Sequence, residues 1–158
     1  MGERAGKRVL ASGAFELLHP GHVRFLVEAK RVGGEGSRLV VVVARDETIR
    51  RRKGREPILG EEARKEIISM LKPVDEVILG HVPFSFEKVI EEVKPDIVVF
   101  GYDQEDLMRE FMKFVESRGL NVKVVKLGKF SSQGPSSTSE LIRRAAEIMG
   151  RGSRSGLF

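Results

Sequence analysis

The fold turns on the stretch Gly13-Ala14-Phe15-Glu16-Leu17-Leu18-His19-Pro20-Gly21-His22. Ahead of it lies the apolar run Val9-Leu10-Ala11. Behind it Val23, Leu26, Val27 and Lys30 fall at helical spacing. A strand therefore hands over to a helix through a turn carrying two histidines. Gly13 and Gly21 permit backbone to approach a ligand where a Cβ would obstruct it. Pro20 suits the first helical turn, because the N–H it lacks would have no partner there. A new helix presents free N–H groups and partial positive charge, which favour a phosphate. Neighbouring imidazoles donate hydrogen bonds to phosphoryl oxygens without a permanent charge. The chain has three histidines, His19, His22 and His81, and two stand in this turn. The plain structural alternative is a helix start whose histidines are solvated or bound to backbone.

Outward from that turn the chain alternates strand and helix. Residues 7–12 read as a first strand, and the helix after His22 runs to about Arg31, stopping at Gly33-Gly34. Residues 38–44 hold the β-branched run Val40-Val41-Val42-Val43, a strand covered on both faces. Residues 45–57 carry six basic side chains among thirteen, with Gly54 and Pro57, and are expected to form a mobile cationic loop. A solvated charge run is the alternative. Loops at the carboxyl ends of parallel strands line the ligand crevice, which favours an anion-binding role.

Residues 60–71 and 104–119 read as amphipathic helices, and Phe84, Val89, Ile90 and Val93 mark another, stopped before Pro95. Residues 74–79, 96–101 and 122–127 read as strands three to five. A polar loop follows, and Ser137-Thr138-Ser139 opens a last helix with Leu141, Ile142, Ala145 and Ile148 on one face. This rhythm predicts an α/β fold: a Rossmann-like, doubly wound parallel five-stranded sheet in one domain at 7–149. Residues 1–6 and 150–158 are expected to be flexible termini.

Composition bounds the function. At 158 residues, 41% hydrophobic and 32% charged, the chain has a globular profile with room for one core. No apolar run is long enough to span a bilayer, and no export signal is visible, so a cytoplasmic location is expected. With no cysteine there is neither a disulfide nor a thiolate nucleophile. The net charge of +5 suits nucleic acid, acidic lipid or phosphorylated small molecules alike, and charge alone does not choose among them. Nine Phe and one Tyr, none interleaved with a basic stripe, argue against nucleic acid.

The central turn resembles the HxGH signature of the nucleotidyltransferases, in the GTFDLLHPGH form of the cytidylyltransferase-like group. His19 and His22 match its histidines. Ala14 and Glu16 depart from it, since Thr or Ser and then Asp are usual there. Lys53-Gly54 resembles the loop whose lysine grips the triphosphate. Lys72-Pro73-Val74-Asp75-Glu76-Val77 is similar to the RYVDEV stretch, and Ser137-Thr138-Ser139 with Ile142 and Arg144 to the phosphate-binding ISTS motif. Within the group, Val43 through Thr48, Lys53 through Pro57, Leu71 through Asp75, Lys94 through Val98 and Gly101-Tyr102-Asp103-Gln104 resemble the archaeal FAD synthetases. Those carry cysteines near the C-terminus, which this chain lacks.

The resemblance implies transfer of AMP from ATP to FMN, giving FAD and pyrophosphate, with Mg²⁺ or another divalent metal. It implies His19, His22 and Lys53 as catalytic residues. Gly13, Ala14, Phe15, Gly101, Asp103, Ser137, Thr138, Ser139 and Arg144 would join both histidines in binding the nucleotide. Small molecules are then the partners, without nucleic acid or membrane, and a homodimer is within the family's range. Two other readings share the phosphate site: a CTP-dependent enzyme acting on glycerol 3-phosphate or a similar small phosphate, and a nucleotide-binding module without turnover.

Overall fold

The computed structural model describes residues 6–130, 134 and 137–151. Most of the expected flexible termini therefore lies outside the described residues, as does most of the polar loop before Ser137. The elements run β1 (Arg8–Gly13), α1 (Pro20–Val32), β2 (Arg38–Val43), α2 (Asp46–Lys53), α3 (Glu61–Ser69), β3 (Glu76–Leu79), α4 (Phe86–Val93), β4 (Ile97–Phe100), α5 (Glu105–Arg118), β5 (Lys123–Lys126) and α6 (Thr138–Gly150). The five strands form one parallel sheet in the order β3-β2-β1-β4-β5.

Successive side chains of a strand face opposite sides, so each continuous apolar run feeds two cores. Val9, Ala11, Leu39, Val41, Val43, Ile97 and Val99 point to one side, where they meet Leu26 and Ala29 of α1 and Ile68 of α3. Leu10, Val40, Val42, Val98 and Phe100 point to the other, against Val89 and Val93 of α4 and Phe111 of α5. The expected doubly wound sheet is what the chain forms. After β3 the chain returns to the far side of β1, so the direction of winding reverses between β1 and β4. Ligand crevices open at such switch points, beyond the carboxyl ends of the strands.

Two aspartates in the motif-like stretches hold the fold's lower edge. Asp75 accepts the Leu39 N–H at 2.7 Å, and Asp96 accepts the Arg8 N–H at 2.9 Å. Each carboxylate completes the ladder of a neighbouring strand just where its own strand begins.

One expectation needs correcting. Residues 45–57 are not a mobile loop throughout, because α2 occupies most of them. Asp46 and Glu47 stand in its first turn and Arg50 through Lys53 in its last, the arrangement the helix dipole prefers. Gly54 ends it in the left-handed conformation at φ 66°, its N–H returning to the Arg50 carbonyl.

Candidate active site

The turn after β1 builds the site. His19 is the N-cap of α1, and its Nδ1 accepts the Gly21 N–H at 3.1 Å. His22 reaches back, its Nδ1 accepting the His19 N–H at 3.4 Å. This is a capping box written in imidazoles. A neutral imidazole that accepts at Nδ1 carries its proton on Nε2. His19 therefore keeps an Nε2–H to donate, the His22 ring also lies against the Leu17 carbonyl, and both rings line the same cleft. They stack with centroids 3.7 Å apart.

Burial holds both rings neutral. It pushes His22 down to about 4, helped by the neighbouring His19 and opposed by the Leu17 carbonyl. It also lowers His19, against the opposing pull of Asp103 and Glu140. Phe15 buttresses the pair with its ring edge-on to His22 at 5.3 Å. It is buried and adopts φ 51°, a left-handed conformation that an aromatic residue rarely takes. Gly13 makes that possible, since a Cβ there would lie 2.9 Å from the Phe15 ring.

Beneath the turn sits a charge cluster. Glu16 is 1% exposed. Its carboxylate accepts from Lys53 Nζ at 2.8 Å and from both terminal nitrogens of Arg55 at 2.7 and 2.8 Å. Burial alone would raise its pKa, but the hydrogen bonds and charges of Arg55 and Lys53 prevail and hold it at about 2. The longer carboxylate at this position thus anchors two cations, one ending α2 and one just beyond it.

Arg64, fully buried, ties the walls together. It donates to the carbonyls of Ala14, Ala44 and Leu59 at 2.7–2.8 Å and pairs with Asp46 at 2.6 Å. Gln104 does the same across the switch point. It accepts the Gly101 N–H and donates to the Ser12 carbonyl, each at 2.9 Å.

The resulting cleft, about 300 Å³, opens above β1, β4 and β5. The histidine turn forms one wall, Gly101 to Gln104 another, and Lys129 with the start of α6 a third. Ser137 caps α6 by accepting the Glu140 N–H at 3.2 Å. Two helix N-termini and two neutral imidazoles thus face one space, a setting for a polyphosphate.

The family model described as Cytidylyltransferase-like matches residues 10–144. This chain belongs to the cytidylyltransferase-like family. Among relatives in that family, the FAD synthase of Methanopyrus kandleri is 48% identical over 93% of this chain and 97% of its own. The FAD synthase of Methanothermobacter marburgensis is 46% identical, over 90% and 87% respectively. The crystal structure of the lipopolysaccharide core biosynthesis protein from Thermoplasma volcanium superposes with a TM-score of 0.72 at 44% identity, covering 80% of this chain and 99% of that one. A protein of unknown function from Archaeoglobus fulgidus, 21% identical, shares the fold at a TM-score of 0.61, over 78% of this chain and 99% of its own.

Within this cytidylyltransferase-like frame, most of the residues singled out from sequence converge. Gly13, Ala14, Phe15, His19, His22, Lys53, Gly101, Asp103, Ser137, Thr138 and Ser139 all line the cleft. Arg144 does not; it stands exposed on α6. Sequence reasoning passed over Arg55, Arg64 and Gln104 as site-builders. The signal for Gln104 was its place at the end of the Gly101-Tyr102-Asp103-Gln104 turn. Nothing local marks Arg64, because its partners lie 5 to 50 residues away.

Proposed function

We propose that this chain is an FMN adenylyltransferase, an FAD synthase that moves AMP from ATP to FMN and releases pyrophosphate. The observation that carries the reading is the 48% identity to a named FAD synthase over nearly the whole of both chains. Residues 7–149 would be the catalytic unit.

An FMN phosphate oxygen bonds to the α-phosphorus of ATP as the bond from that phosphorus to the bridging oxygen breaks. The bridging oxygen leaves with its electron pair as part of pyrophosphate. A phosphate monoester, with a second pKa of about 6, is already ionised near neutral pH. No strong base is needed, so catalysis is positioning and charge stabilisation.

His19, through its Nε2–H, and His22 donate to the α and β phosphates. Lys53 exchanges Glu16 for the triphosphate, and Ser137, Thr138 and Ser139 hold its far end, with Arg144 adding charge from α6. Gly101 and Asp103 face the base or a metal. Among the described residues Asp103 is the one carboxylate lining the cleft, and they hold no cluster of three His, Asp or Glu. That donor set fits a divalent cation such as Mg²⁺ held by Asp103 together with substrate oxygens. Such an ion would offset phosphate charge.

A cytoplasmic location belongs to the reading: no helix among the described residues is long and apolar enough to cross a membrane. So does a homodimer, for which exposed Ile148 and Met149 on α6 offer apolar surface.

The test is pyrophosphate release with Mg²⁺, pairing ATP or CTP with FMN, glycerol 3-phosphate or phosphocholine. Release with ATP and FMN, with FAD formed in step, is the expected result. Release with CTP and an alcohol phosphate would keep the chemistry and replace the substrates. Binding without release in any pairing would favour a nucleotide-binding module.

A further inference from the structure

A second cavity, about 150 Å³, lies on the β2–β3 side of the nucleotide cleft. The two share Ser12, Gly13, Ala14, Lys53 and Gln104, so they meet at the end of β1. Their linings differ in kind. Val42, Ile49, Phe84, Val89 and Leu107 make this one largely apolar, with Arg45, Arg52 and His81 at its edge. A smaller apolar hollow of about 40 Å³ continues behind Phe84 toward Phe86 and Phe111.

Phe84 is 42% exposed, an unusual state for a ring bordering an apolar cavity. It is held edge-on against Phe86 at 4.8 Å, and Phe86 packs in turn on Phe111 and Phe114. A ring fixed from behind by Phe86 and still partly exposed can stack a further flat group. Arg52 lies 5.3 Å from its centroid. Arg50 pairs with Glu56 and Arg51 with Glu47. Arg52 has no acidic partner at salt-bridge distance among the described residues; it sits over the Phe84 ring as a cation–π partner, leaving its charge free to meet an anion at the cavity mouth. Arg45 is already bound to Glu61 and the Gly80 carbonyl, and His81 to Glu92.

These features select a ligand with a flat apolar body and an anionic head. We propose that the acceptor's heteroaromatic ring stacks on Phe84 in this cavity, its phosphate reaching Lys53 and Gly13, with Arg52 over its polar edge. The assignment rests on the FMN adenylyltransferase reading and adds the acceptor's place to it. It also suits in-line transfer. The acceptor phosphate enters from the β2 side of the Gly13 turn, while the pyrophosphate end of ATP lies toward α6 on the other.

The test titrates FMN into wild type, Phe84→Ala, Phe84→Tyr and Arg52→Gln, with and without a non-hydrolysable ATP analogue, following quenching of flavin fluorescence. Calorimetry gives the ATP affinity of each protein. Phe84→Ala is expected to weaken FMN by about tenfold or more, the scale of losing one ring-stacking contact. Phe84→Tyr should retain both affinity and quenching, Arg52→Gln should show a smaller loss, and ATP affinity should hold throughout. If wild type makes FAD while Phe84→Ala and Arg52→Gln bind FMN normally, the acceptor lies elsewhere and the adenylyltransferase reading stands. If wild type binds ATP but neither binds FMN nor makes FAD, that reading and this assignment fall together.

Discussion

His19 and His22 stack at 3.7 Å, so protonating both would set two positive charges face to face. Their neutral state is built into the turn, because each Nδ1 is occupied by a backbone N–H. In the free protein His22 should titrate near pH 4, where burial puts it. A bound triphosphate favours the charged form, so ATP should move that titration upward. Histidine ring NMR shifts followed against pH, with and without ATP, check both statements; an unchanged titration would separate His22 from the phosphates. Removing the ring should remove a charge-stabilising donor. His22→Ala is expected to lower turnover by about two orders of magnitude, on the scale of one such donor. Steady-state pyrophosphate release checks it, with circular dichroism to show that the variant folds. Sequence spacing put this pair in one turn and the resemblance added Phe15 to the nucleotide's neighbours, but neither signalled the left-handed backbone of Phe15. A left-handed aromatic leaves no local signature, and the Gly13 that accommodates it looks like any turn glycine.

At the scale of elements, α2 is held by its neighbour more than by its own residues. It buries only Ile49, and its N-cap Arg45 makes no capping bond with its side chain. Glu61, in the first turn of α3, accepts the Asp46 N–H at 2.8 Å in its place. Arg64, one turn further along, grips Asp46 itself and three carbonyls. Removing it would leave a half-buried carboxylate and three half-buried carbonyls without this partner. Arg64→Ala should therefore cost about 3–5 kcal/mol of stability, the range for breaking a buried ion pair. Urea unfolding measures this as a lower midpoint; a midpoint within error of wild type would deny Arg64 its role. Lysine should rescue it poorly, since an ammonium cannot fork to four acceptors. Here lies the limit of what the sequence made legible. Basic residues without an apolar stripe read as loop. The start and stop signals, acids first, bases last and then Gly54, were present but outvoted. The long-range acceptors of Arg64 have no sequence signal at all.

For the whole molecule, the strands were legible because a sheet covered on both faces needs unbroken β-branched runs, as in Leu39 to Val43. Strand ends were less so, since Asp75 and Asp96 satisfy the ladder by side chain just outside β3 and β4. The same economy of buried charge sets the response of the fold to acid. His22 has a folded pKa below its ordinary value, so the unfolded chain binds the proton more readily. Its contribution is present above about pH 6.5 and is lost as pH falls toward 4. Glu16 is depressed from 4.5 to about 2, so its contribution is complete above 4.5 and is lost as pH falls through 2. Stability should thus decline in two successive windows, the first owed to the histidine turn and the second to the carboxylate under it. Acid also adds positive charge to a chain already at +5, which pulls in the same direction and must be separated out. Glu16→Gln does this, because it removes one titrating group and leaves the rest of the background in place. Urea midpoints between pH 7 and 2.5 should fall steadily for wild type, while the variant starts lower and declines less steeply below pH 4.5. Parallel curves across that lower window would mean that Glu16, Lys53 and Arg55 do not form the coupled cluster seen beneath the histidines.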